Sequence, residues 1–202
     1  SATYSDEAPS GYQLLSCRSV DNRGITLPVT GNPVTSDISV RRAINIGINR
    51  EEMIEHVLNG YGTPAYSVCD QMPWYNPSSQ VEYDPQEAAA LLDKAGWLPG
   101  SDGIREKDGV RAELTLLYSS GDSVRQSLAA DMANQLGELG FSCKIEGVGW
   151  DTAYERALST PLLWGWGAHT PMELYNIYHT LIGTDSAQYS PYSNSTVDSY
   201  MR

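Results

Sequence analysis

Residues 161–171 read PLLWGWGAHTP and gather Trp164, Trp166, two glycines and His169, one of only three histidines in the chain. A buried core strand favours branched aliphatics over Trp-Gly-Trp-Gly. A ligand site favours aromatic walls, a close backbone approach and a polar tip, and this stretch supplies all three. His169 follows a strand end in a Gly-Ala turn, where loops held by a rigid sheet present functional groups, so ligand contact and a turn or cap role both stand. His56 reads as solvated on the flank of a helix, and His179 as structural on the helix that follows the tryptophans.

The sequence carries no GxSxG elbow, Walker loop, GxGxxG or HExxH. Three scattered histidines do not assemble a nucleophile, a base and an orienting acid. Glu51 and Glu52 sit in the first turn of an expected helix, where the helix dipole accounts for them. Asp102 and Asp108 lie among glycines, but the EF-type spacing and its closing glutamate are missing. Cys17, Cys69 and Cys143 form no CxxC pair, which argues against structural zinc. Three buried thiols is the favoured state, with one disulfide and a leftover thiol as the alternative.

The elements that must position these residues follow from periodicity and caps. Val40, Ala43, Ile44, Gly47 and Ile48 mark a buried helical face, capped by Ser36 or Asp37. Asn49 with Glu52 starts a second helix, which Asn59-Gly60 stops in a left-handed turn. Asp84-Pro85 opens a third helix, ended by Gly96. Asp108-Gly109 signals a hairpin before a strand at 113–119, and a helix at 123–138 leads to a strand at 141–146, giving a parallel strand–helix–strand unit. Asp151 is expected to cap a short helix through Leu158, followed by a strand at 161–166 and a helix at 171–181. Near the amino terminus, 12–16 and 24–29 read as extended, separated by a turn at Asp21-Asn22-Arg23-Gly24. Strands alternating with helices predict an α/β fold.

The chain has 202 residues, 41% of them hydrophobic, enough to bury a core in one domain. A net charge of -12 offers no basic patch for phosphates, which argues against nucleic acid and an anionic membrane surface as partners. Thirteen tyrosines and five tryptophans against one phenylalanine favour half-wet clefts over a dry core. No stretch approaches the roughly 18 apolar residues of a membrane span. The opening lacks a basic and apolar leader, so an export signal is expected to have been removed or to lie upstream. The abrupt opening and the close within a helical pattern suggest a fragment.

The segment VRRAINIGINREEMIEHVLNGYGTPA, residues 40–65, resembles the signature of extracytoplasmic solute-binding proteins for peptide and nickel ABC importers. That signature reads V-R-x-A-h-x-x-A-I-D/N-R-x-x-I, followed by G-x-G-x-P-A. YDPQEAAALLDKAGW at 83–97 is similar to the family's Y-D-P-x-x-A-x-x-L-L-x-x-A-G-W, and SPYSNSTVDSYM at 190–201 to its Y-S-N-x-x-h-D. The resemblance implies a periplasmic-binding-protein-like lobe of the type II, or cluster C, kind: a mixed sheet flanked by helices, one piece of a two-lobed protein. Residues 12–202 would form this single lobe behind a loose segment at 1–11, with the amino-terminal lobe missing.

The implied function is capture of a small solute, an oligopeptide or a nickel chelate, between two lobes, without a cofactor. Delivery would be to a membrane ABC permease, from the periplasm or from a membrane-anchored cell-surface lipoprotein. In the family, the strand-end G-W-x-A-D turn lines the cleft, and in peptide binders its aspartate meets the peptide's amino terminus. Here that turn is Gly165-Trp166-Gly167-Ala168-His169, with histidine at the aspartate's place. A neutral imidazole does not neutralise a buried ammonium, and imidazole suits nickel, so a metal chelate, a modified peptide or another solute gains weight. The expected ligand-binding residues are Trp166, His169, Gly167, Ala168 and, as a side wall, Tyr154. Trp164 and Trp166 are expected to alternate across the strand, with Trp166 alone facing the cleft. A secreted α/β hydrolase lobe and a surface protein-interaction module are the competing readings.

Overall fold

Apolar residues at helical spacing between 40 and 48 need a cap and a surface to bury against, and both are present. In this computed structural model, which describes residues 10–13, 15, 17–180 and 193–201, helix α1 spans Ile38–Gly47. Asp37 caps it by accepting the Ser39 N–H at 2.8 Å. Asn49 caps α2 (Arg50–Leu58) through the Glu52 N–H at 3.1 Å, and Asn59 ends it at φ 51°. Asp84 caps α3 (Pro85–Lys94) through the Glu87 N–H at 2.8 Å.

The main sheet holds four strands in the order β1-β7-β5-β6. These are β1 (Asn22–Thr26), β5 (Glu113–Ser119), β6 (Ser142–Val148) and β7 (Leu162–Trp166). Strand β5 runs parallel to β6 and β7, whereas β1 runs antiparallel to β7, so the sheet is mixed. The short strands β2 (Leu98–Pro99), β3 (Arg105–Lys107) and β4 (Val110–Arg111) make a separate antiparallel sheet. Asp108 at φ 51° and Gly109 at φ 80° form the two-residue turn between β3 and β4.

Alternation along β5 and β7 divides the core. Leu114, Leu116 and Tyr118 of β5 and Leu163 of β7 join the buried faces of α1, α3 and α4 (Ser123–Glu138). Leu117 and Leu162 point to the opposite face and meet Ala153 of α5 (Trp150–Arg156) with Ala157 and Val148. Helices therefore cover both faces of the sheet. Helices α6 (Met172–Tyr178) and α7 (Ser195–Tyr200) complete the elements among the described residues.

Several expectations are corrected. The turn expected at 21–24 is instead the start of β1, because pairing with β7 satisfies its backbone; Asn22 lies opposite Trp166. Strand β1 correspondingly ends at Thr26, short of 29. Tyr12, Gln13 and Leu15 form no strand, and the remainder of 12–16 lies outside the described residues. Asp151 lies inside the first turn of α5, whose cap is Gly149 without a side-chain bond. Helix α6 stops at Tyr178; its expected end at 181 lies outside the described residues. The three cysteines are free, but only Cys69 is fully buried, Cys143 is half-buried and Cys17 is exposed.

Candidate functional site

The parallel strands β5, β6 and β7 all end at one edge of the sheet, where α/β folds commonly bind ligands. The antiparallel β1 starts there, bringing Asn22 beside Trp166. Three connections leave this edge, before Asp122, at Gly149, and through residues 167–170.

Trp164 and Trp166 are two residues apart on one strand and therefore share a face, contrary to the expected alternation. Their surroundings differ. Trp164 meets Trp150 edge-on, centroids 5.1 Å apart at 82°, and Tyr154 at 5.5 Å. The ring of Trp166 lies over Gly24, where a Cβ would come within 3.1 Å of it. Glycine at position 24 thus serves ring packing rather than a turn. The indole Nε1 of Trp166 is buried without a hydrogen-bond partner among the described residues.

The rest of the family-like turn follows directly. A Cβ at Gly167 would lie 3.1 Å from Asp21 Oδ1, so the backbone approaches closely here. Ala168 is half-buried and His169 is exposed in the bend beyond β7. Tyr154, 44% exposed, belongs to the Trp150–Trp164 group. The structure thus places Trp166, Gly167, Ala168 and His169 on one strand end, with Tyr154 on the helix beside Trp164. His179 is 4% exposed and stacks on Tyr175 at 4.6 Å, while the side chain of His56 is 59% exposed.

Charge at this edge comes from residues the sequence reading passed over. Arg125 lies in the first turn of α4 with its guanidinium 5.5 Å from the Trp150 ring centroid. It pairs through Nη1 with Asp122, which also caps α4 by accepting the Arg125 N–H at 2.9 Å. Burial alone pushes the Asp122 carboxyl up, but the backbone N–H and guanidinium of Arg125 outweigh it and hold it below the usual carboxylate range. Arg23 of β1 pairs with Asp21 at 2.7 Å. Trp150 had a readable signal, since it opens the helix after a parallel strand. The two arginines had none, because their nearness depends on strand pairing.

A cavity of about 520 Å³ lies on the α1 and α4 side, lined by Ile25, Ile44, Met53, Val124, Leu128 and Leu163 among others. Trp166, His169 and Tyr154 are not part of its lining. A polar hollow of about 470 Å³ lies at Arg50, Tyr66, Glu82 and Tyr83. Arg50 ties the following loop to α1, donating through Nε to the Ala65 carbonyl at 3.1 Å and through Nη1 to that of Asn45 at 2.9 Å. The signature arginine is thereby accounted for structurally. Among the described residues no group of three or more His, Cys, Asp or Glu is placed to hold a metal ion, and no helix is long and apolar enough to cross a membrane.

The architecture is a periplasmic-binding-protein-like α/β lobe. Superposed on the oligopeptide-binding protein AppA from Bacillus subtilis, solved with a nonapeptide, it gives a TM-score of 0.80 at 28% identity, covering 91% of this chain and 38% of that one. NikZ from Campylobacter jejuni, solved with Ni(L-His), shares the fold at a TM-score of 0.79 and 24% identity, over 90% of this chain and 38% of that one. The chain belongs to the bacterial extracellular solute-binding proteins, family 5, whose model matches residues 7–188. Protein XP55 of Streptomyces lividans is 37% identical over 196 residues, 95% of this chain and 36% of that protein. The chain therefore spans about a third of the length of the curated relatives it matches.

Proposed function

We propose that this chain forms one wall of the solute-binding cleft of an ABC importer's binding protein, facing a second lobe. On this reading residues 12–202 act as one lobe, and the protein works outside the cytoplasm, delivers its solute to a membrane permease and carries out no catalysis. The observation that carries the reading is the strand end at Trp166. Its indole N–H is buried without an acceptor among the described residues, and the backbone beside it is opened by glycine at 167. A buried donor left unpaired costs about 1–3 kcal/mol, which a ligand acceptor would recover.

Trp166 supplies the apolar wall and a donor, Gly167 and Ala168 the close backbone, His169 the polar contact and Tyr154 a side wall. The solute is a peptide or a nickel chelate. AppA was solved with a nonapeptide and NikZ with Ni(L-His), so both classes occur among similar proteins. The imidazole of His169 favours the chelate, since it ligates nickel and does not neutralise an ammonium.

Native mass spectrometry of the full-length protein carrying this lobe identifies the solute that co-purifies. Calorimetry with that solute then tests the wall: His169→Ala should weaken binding at least about tenfold, the loss of one charge-assisted or metal-ligand contact. An unchanged dissociation constant removes His169 from the site.

A further inference from the structure

Three places in the chain put an asparagine or aspartate directly before glycine: Asn59-Gly60, Asp102-Gly103 and Asp108-Gly109. At such a pair the glycine nitrogen attacks the side-chain carbonyl carbon and closes a five-membered succinimide, because no Cβ on the second residue blocks the approach. In an unfolded chain asparagine reacts fastest, since a carboxylate must first take up a proton before its oxygen can leave. Sequence alone therefore ranks Asn59 first.

The fold reverses that ranking. Ring closure needs a free glycine N–H and rotation of the preceding residue about its Cα–C bond. At Asn59 both are tied: the residue sits at φ 51° in the left-handed end of α2, and the Gly60 N–H donates to the Ile54 carbonyl at 3.1 Å. At Asp102 the Gly103 N–H donates to the Gly100 carbonyl at 3.0 Å. Arg111 pairs with Asp102 at 2.6 Å, and this bond holds its carboxyl below the usual range, in the unreactive ionised form. Asp108 and Gly109 are exposed at the tip of the β3–β4 hairpin. The Gly109 N–H has no hydrogen-bond partner among the described residues, and a Cβ built on Gly109 would meet nothing within 4 Å.

We infer that Asp108 is a site of spontaneous covalent modification, isomerising to isoaspartate ahead of Asn59 and Asp102 in the folded protein. The inference is independent of the cleft reading. The protonated Asp108 carboxyl is attacked by the Gly109 nitrogen; the N–Cγ bond forms, the amide proton passes to solvent, and the Cγ–O bond breaks as water leaves. Water then adds back. Cleavage of the N–Cγ bond restores aspartate, whereas cleavage of the original peptide bond leaves the main chain running through Cβ and Cγ. That product adds one atom to a two-residue turn that holds Lys107 opposite Val110. Lys107 also donates to Asp37, the cap of α1, so the change reaches beyond the hairpin.

The full-length protein carrying this lobe is kept warm at neutral pH for weeks, either folded or in guanidinium chloride. Electron-transfer mass spectrometry, which separates isoaspartate from aspartate by backbone fragments, follows the three sites. In the folded protein isoaspartate should accumulate faster at 108 than at 59 or 102, and in denaturant 59 should lead. Asp108→Gly suits the turn and removes the reacting carboxyl, so most of the isoaspartate formed by the folded protein should vanish. The site is overturned by Asn59 leading in both states, or by no conversion at 108 within the time the unfolded chain converts at 59. Undiminished total isoaspartate in folded Asp108→Gly would overturn it equally.

Discussion

Trp164 and Trp150 meet edge to face, ring centroids 5.1 Å apart, and so join β7 to the start of α5. This contact extends the small second core of Leu117, Val148, Ala153, Ala157 and Leu162. Trp164→Ala should therefore lower stability by about 2–3 kcal/mol, somewhat below the cost of deleting a fully buried tryptophan. Urea unfolding measures it directly. A loss under about 0.5 kcal/mol would mean that the contact with Trp150 adds nothing to the second core.

Asp37 holds three donors: the Ser39 N–H, the Trp97 indole at 3.0 Å and Lys107 at 2.9 Å. Burial alone raises its carboxyl, but these bonds outweigh that and lower it to about 2. A depressed folded value gives stability that is complete above the unfolded pKa and is lost as pH falls toward 2. Unfolding free energy should drop between about pH 4 and pH 2, with Asp37 contributing about 1–2 kcal/mol. Asp37→Asn keeps a cap acceptor but not the charge, so its stability curve should be flatter in that window.

Gly47 lies where α1 crosses α3. A Cβ there would lie 2.5 Å from Leu139 Cδ1 and 3.0 Å from Ala88 Cβ. Alanine gains up to about 1 kcal/mol in helix propensity, but overpacking a closed contact costs about 1–3 kcal/mol. Because Leu139 and Ala88 are buried, the cost should win and Gly47→Ala should lower the melting temperature.

The cysteines should separate by reactivity. Burial pushes the Cys143 thiol up to about 11, Cys69 is buried, and Cys17 is exposed. N-ethylmaleimide at neutral pH should modify Cys17 first in the native protein, and all three in denaturant. Rapid native labelling of Cys143 would contradict its burial.

The sequence made the helices legible because their signals are local. Asp37, Asn49 and Asp84 each cap through a bond to a residue two or three positions on. The match of the family model to residues 7–188 bears out the resemblance read from 40–65 and 83–97. The amino-terminal strand was hidden, because Asn22 and Gly24 have turn chemistry that pairing with β7 overrides. Gly24 is required by the Trp166 ring and Gly165 by two guanidiniums, partners remote in sequence from each glycine. The guanidinium pair was illegible for the same reason, since no spacing within either segment announces it.

The strand β1 hydrogen-bonds to a partner 136 residues away, Thr26 Oγ1 to the Leu162 carbonyl. Its antiparallel entry is what delivers Asn22 and Arg23 to the edge where β7 ends. The strand end at Trp166 is therefore completed only once β1 has paired with β7, and such long-range closure is slow relative to local helix formation. On the proposed reading, solute capture thus depends on a pairing between segments 136 residues apart, so it is coupled to the completion of the sheet and not to any local element.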